Sequence, residues 1–201
     1  MTRRLLLVLI VALVPVVAVA AFYLSEMGRP TAPAVQAIGK PAIGGPFRLT
    51  THDGQSLSSE DLKGKPFAVF FGFTHCPDIC PTTLFELAED LKALGPEAGR
   101  LQVLFVTVDP QRDTPELLSR YVQSFSSRIV GLTGSEEEVA AAVKAYKVFR
   151  QKLPTEGGDY TMNHTATVYL MDREGQFFSA LSPQESQEMR RAKLKRLLRE
   201  G

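Results

Sequence analysis

The longest apolar stretch comes first. Leu5 to Leu24 runs without a charge for about the twenty residues that a helix needs to cross a hydrocarbon core, and Arg3 and Arg4 precede it. The pattern predicts an N-terminal transmembrane anchor or signal over residues 1–24, with the basic flank on the cytoplasmic side. Ala18-Val19-Ala20 before Ala21 has the small-x-small form of a cleavage site. The apolar run continues past it through Phe22, Tyr23 and Leu24, which favours a retained helix. Ser25 to Gly45 is rich in Pro, Gly and Ala without any period and reads as a tether, so a folded domain is expected over residues 46–201.

Within that domain, short apolar runs alternate with helical spacing. "FRLTTHDGQSLS" places Asp53-Gly54 between strand-like segments, a hairpin signal, and His52 beside the turn reads as exposed. "PFAVFFGF", Pro66 to Phe73, is continuous and aromatic, as in a central strand covered on both faces. Leu84, Leu87, Ala88, Leu91 and Leu94 then recur at helical spacing until Gly95, with Pro81 in the first turn and Cys80 at the cap. "LQVLFVTVD" predicts a second buried strand, and "DTPELLSRYVQSF" a helix capped by Asp113 or Thr114 with Pro115 first. "RIVGLTG" offers a short strand, and Ser135 with Glu138 a capping box that opens another helix.

Residues 150–163 read as a loop, and "TATVYLMD" with "GQFFSAL" as a hairpin around Asp172 to Gly175. Gln184 to Glu200 is a basic amphipathic helix whose Met189, Leu194, Leu197 and Leu198 are expected to cover the sheet. The fold class is therefore α/β, a mixed sheet flanked by helices. A strand, a cysteine motif and a helix in that order form a thioredoxin-like arrangement. Composition adds little: 44% hydrophobic, 22% charged and a net charge of +1 describe one globular domain and give no reason to expect a nucleic-acid partner.

The chemistry lies in "FTHCPDIC", which holds both cysteines, Cys76 and Cys80. If the domain is exported, such a pair ends as a disulfide unless a metal or a reductant claims it. A bond between the two would close only about five residues, worth roughly 2 kcal/mol at most, too little for a structural staple. Next to a helix N-terminus the thiols are instead favoured as thiolates. Disulfide-shuttling enzymes typically carry C-x-x-C, whereas here Pro77, Asp78 and Ile79 intervene, a bite that also suits a metal ion.

Zinc would want four ligands, or three and a water. Cu(I) is content with two thiolates and an imidazole, and Cu(II) tolerates the same set. The nitrogen donors available are His52, His75 and His164. His75 adjoins Cys76, which strains simultaneous binding of one ion. His164, just before a strand, reads equally as a third ligand or as a satisfied loop residue.

Three blocks, "GFTHCPDICPTTL", "VTVDPQRDTPELL" and "DYTMNHTATVYLMD", resemble the Sco/SenC family of membrane-anchored, copper-binding proteins with a thioredoxin fold. The resemblance covers residues 37–181 and implies copper held by Cys76, Cys80 and His164. Asp78 and Asp109 match acidic positions of the family's motifs and are expected just outside the ligands; Asp113 matches a third and is expected as a helix cap. Pairing of these acids with Arg112 is the plainer alternative. Many relatives carry Asp before the loop histidine, where Asn163 stands here.

The family implies a copper chaperone that helps build the binuclear copper centre of cytochrome c oxidase, or a thiol-disulfide oxidoreductase that reduces the cysteines of that centre. Turnover as an enzyme is not required by the first role. The implied partners are the oxidase's copper-site subunit, a copper donor protein and a thiol reductase. The expected location is the inner, cytoplasmic membrane, crossed once, with the domain on the periplasmic side.

Overall fold

The structure, a computed structural model, describes residues 41–201; the expected anchor and most of the tether lie outside the described residues. Among the described residues no helix is long and apolar enough to cross a membrane. The described residues form nine strands and four α-helices: β1 (Arg48–Thr51), β2 (Ser56–Ser58), β3 (Phe67–Gly72), α1 (Ile79–Leu94), β4 (Gln102–Thr107), α2 (Pro115–Gln123), β5 (Ile129–Thr133) and α3 (Glu136–Ala145). Then come β6 (Arg150–Pro154), β7 (Tyr160–His164), β8 (Val168–Met171), β9 (Phe177–Leu181) and α4 (Gln187–Glu200).

Seven strands form one sheet in the order β2-β1-β5-β4-β3-β8-β9, and β6 with β7 make a separate two-stranded sheet. β3, β4 and β5 run parallel, as the crossover helices α1 and α2 require, while β1, β8 and β9 join antiparallel. This is the thioredoxin-like mixed sheet flanked by helices that the sequence predicts.

Every residue of β3 is buried. Its side chains divide between the two faces: Phe70 stacks near Phe105, whereas Phe71 meets Tyr146 and Tyr169. The hairpin at Asp53-Gly54 forms, with Thr51 N donating to Gln55 O at 2.7 Å and Gly54 at a φ of 80° that favours glycine. Thr114 caps α2, its hydroxyl accepting from Leu117 N at 3.3 Å, and the Ser135–Glu138 capping box opens α3.

Four expectations are corrected. Residues 150–163 are not a loop but mostly the β6–β7 hairpin, in which Arg150 faces His164 and Pro154 faces Tyr160. Its side chains are half-buried or exposed and none is buried, so no alternating apolar pattern marks it. His52 is not an exposed turn residue: its side chain is 10% exposed, and Nδ1 accepts from Gly131 N at 3.0 Å. Asp113 does not cap α2 but is fully buried.

Met189 points to solvent, because the inward position beside it is taken by Arg190. Arg190 and Arg191 reach the fully buried Asp90 of α1 at 3.0 and 2.9 Å, fixing α4 to α1. Leu194, Leu197 and Leu198 are buried as expected.

Candidate metal centre

The end of β3 turns sharply into α1, and the cysteines occupy that turn. Asp78 is the N-cap residue and Cys80 the second residue of α1, so both sulfurs sit among amides that lack helical acceptors. The Cys80 N–H points at Cys76 Sγ, 3.4 Å away. Both cysteines are free thiols and both are buried, Cys80 completely.

His164 ends β7 and brings its ring over the same turn, its Nε2 3.4 Å from Cys80 Sγ. The ring meets Phe73 edge-on at 5.7 Å and Phe70 at 6.2 Å. Its Nδ1 lies 3.0 Å from the Thr165 carbonyl, which can only accept, so Nδ1 carries the proton and Nε2 offers its lone pair to the sulfurs. The backbone therefore orients this ring without help from Asn163, which is exposed and lies on the opposite face of β7.

One ligand atom from each of Cys76, Cys80 and His164 lies within 4.8 Å of the others, among the described residues. Two soft sulfurs and one imidazole at that spacing fit a single thiophilic ion; three donors fall short of the closed set of four that structural zinc takes.

The thiols divide their roles. A hydrogen bond from Cys80, with further ones from the Asp78 and Cys80 amides, lowers Cys76 to a pKa of about 4 against the opposing effect of burial. Cys80, which gives that hydrogen bond, is pushed far up, with burial adding to the shift. The reduced site thus holds one thiolate and one thiol. Cys76 is the nucleophile and Cys80 releases its proton only when an ion or a bond replaces it.

A glycine makes room for this. A Cβ at Gly72 would lie 2.9 Å from Cys80 Sγ and 2.6 Å from the Phe105 ring. The sequence shows the signal, a lone glycine inside a buried aromatic strand, which marks close approach. The hairpin that carries His164 is held by Tyr160 and Lys152, for which the sequence offers no signal, together with Asp109 and Arg112. Tyr160 donates to Asp109 Oδ1 at 2.9 Å, while Arg112 and Lys152 stack on its ring at 3.7 and 3.6 Å. Arg112 also bonds Asp109 at 2.5 Å and the Tyr160 carbonyl at 2.9 Å.

Asp109 is buried, in the pairing with Arg112 that was the plainer alternative. Asp78 contributes its amide to Cys76, and its exposed carboxylate faces Thr82 Oγ1 at 3.5 Å. His75 is not brought to the sulfurs; its ring is 49% exposed and contacts Thr74.

A thioredoxin-like sheet with two thiols and a histidine converging at the start of its first long helix defines a thiol and metal-site protein of that fold. The chain belongs to the SCO1/SenC family, which it matches over residues 35–199. It is 44% identical over 145 residues to the mitochondrial SCO1 homologue of Mus musculus, covering 71% of this chain and 51% of that one. It is also 44% identical over 146 residues to mitochondrial SCO1 of Saccharomyces cerevisiae, covering 71% and 50%. The chain thus spans about half the length of these relatives. Among solved structures it resembles Bradyrhizobium japonicum ScoI with copper bound, at 48% identity and a TM-score of 0.73 over 78% of this chain and 99% of that one. Yeast Sco1 with copper bound gives 39% and 0.74 over 80% and 91%.

Proposed function

We propose that this chain is a copper chaperone that binds one copper ion through Cys76, Cys80 and His164 and delivers it to the binuclear copper centre of cytochrome c oxidase. The observation that carries the reading is the convergence of these three donors within 4.8 Å, in a family whose solved members include copper-bound forms. Two thiolates and Cu(I) leave a net charge of −1, which the positive end of α1 partly compensates. A three-coordinate ion can leave by exchange with an incoming thiolate pair. The metal-bound and disulfide forms exclude each other, so loading requires that a dithiol partner first supply two electrons and two protons to any Cys76–Cys80 disulfide.

The lowered pKa of Cys76 favours a second reading, a thiol-disulfide oxidoreductase that reduces the cysteines of the oxidase centre. On either reading the partners are the oxidase's copper-site subunit and a thiol reductase, and on the first also a copper donor protein. The apolar run at residues 5–24 supports a single-pass anchor in the inner membrane with the domain on the periplasmic side. Cells that carry His164→Ala or Cys76→Ala separate the two readings through oxidase activity and oxidase copper content. Delivery predicts that both variants fail; reduction predicts that only the cysteine variant does.

A further inference from the structure

His75 lies just outside the metal centre, and its surroundings fix its tautomer. Asp113 is fully buried; its Oδ1 accepts from Thr74 Oγ1 at 2.6 Å, and its Oδ2 accepts from Thr107 Oγ1 at 2.6 Å and from Thr74 N at 3.1 Å. The single hydroxyl proton of Thr74 is thereby committed to the carboxylate. Toward His75 Nδ1, 3.1 Å away, the same oxygen can only accept. The proton of the neutral ring therefore sits on Nδ1, and Nε2 carries a free lone pair. Nε2 has no hydrogen-bond partner among the described residues.

His164 is set up in the same way, with Nδ1 bound to a backbone carbonyl and Nε2 turned to the sulfurs. Orienting a ring through its other nitrogen is how proteins prepare imidazoles as metal ligands. The two rings differ in access. Cys80 is 0% and Cys76 9% exposed, whereas His75 is 49% exposed and adjoins Cys76 in the chain. His75 is therefore the side chain beside the cysteines that is most open to a copper complex arriving from solvent.

We propose that His75 is a hand-over ligand, taking monovalent copper on Nε2 as the ion passes between a thiolate-bound donor and the buried site. The proposal rests on the three-ligand reading of that site. In loading, a copper–sulfur bond of the donor breaks as the Nε2–copper bond forms, and the donor thiolate leaves with its electron pair. Copper remains monovalent throughout. The Cys76 thiolate then binds, Cys80 binds with release of its proton to water, and His164 Nε2 completes the set as the His75 bond breaks. Delivery runs the same exchanges in reverse. The adjacency that strains simultaneous binding by His75 and Cys76 keeps the intermediate short-lived, which is what a passing contact requires.

The test measures loading of the reduced full-length chain from Cu(I)–glutathione by anaerobic stopped flow, with equilibrium affinity measured separately by competition with bicinchoninate. His75→Ala is expected to slow loading about tenfold, a larger change than any in affinity, and added imidazole is expected to restore the rate. Unchanged loading overturns the proposal, and so does a slowed rate that imidazole leaves slow, since a purely structural role gives no such rescue. The underlying site is judged by a different arm: His164→Ala with unaltered equilibrium affinity overturns the three-ligand reading, whatever His75→Ala does to the rate.

Discussion

The Nε2 atom of His164 stands 3.4 Å from the Sγ atom of Cys80, although 84 positions separate the two residues in the chain. The contact joins the end of β7 to the start of α1, so the fold itself brings the third donor to the cysteine turn.

Gly72→Ala tests how tightly the cysteine turn is packed. The added Cβ would meet Cys80 Sγ at 2.9 Å and Phe105 at 2.6 Å, both in the core. The expected cost is about 1–3 kcal/mol in denaturant unfolding, together with weaker Cu(I) binding as Cys80 moves. Native stability and native affinity together would show that the turn has slack.

The asymmetry of the two thiols is read by alkylation of the reduced chain across pH. Cys76 is lowered to about 4, so it is a thiolate at neutral pH and loses reactivity only as pH falls through about 4. Cys80 is raised and fully buried, and is expected to resist the reagent throughout. Mass spectrometry after timed iodoacetamide treatment locates the label. A midpoint for Cys76 near the ordinary thiol range, or faster labelling at Cys80, would contradict the assignment.

The clamp on the hairpin predicts an effect at a distance from the sulfurs. Tyr160→Ala removes the ring on which Arg112 and Lys152 stack and the hydroxyl bound to Asp109, loosening the strand that carries His164. Affinity for copper is expected to fall about tenfold or more, in the range found when groups that orient a ligand are removed. Tyr160→Phe, which keeps the ring, is expected to lose less; equal losses would place the effect in the hydroxyl alone.

Asp90→Ala separates stability from the site. It removes the fully buried partner of Arg190 and leaves Glu86, at 3.2 Å, as its remaining carboxylate, at an expected cost of about 1–3 kcal/mol read by denaturant unfolding. Copper affinity below the unfolding transition is expected to stay close to native. A selective loss of affinity would mean that α4 sets the geometry of the cysteine turn.

Most of the sheet was legible because its strands are buried and its helices carry caps. "PFAVFFGF" could only be a covered strand, and Ser135 with Glu138 mark their helix start without any tertiary information. The β6–β7 hairpin was not, since strands with no buried face have no clear hydrophobic period; the Gly157-Gly158 pair, at positive φ in the turn, was its one signal. Asp113 follows the same logic. Beside Pro115 it resembles a cap, and only the return of β3 places Thr74 against it. The cysteines were legible as a reactive pair from spacing alone. His164 was singled out by family resemblance, because the contact that defines it joins the end of β7 to the start of α1, 84 positions apart in the chain.

Anaerobic titration of the reduced full-length chain with Cu(I), followed by Cu(II), probes the three donors together when it is run on the native protein and three variants. One equivalent is expected to bind the native chain, with affinity lowered in Cys76→Ala, Cys80→Ala and His164→Ala alike. If His164→Ala binds both oxidation states as tightly as the native chain, copper is not held by the three donors that meet at the start of α1.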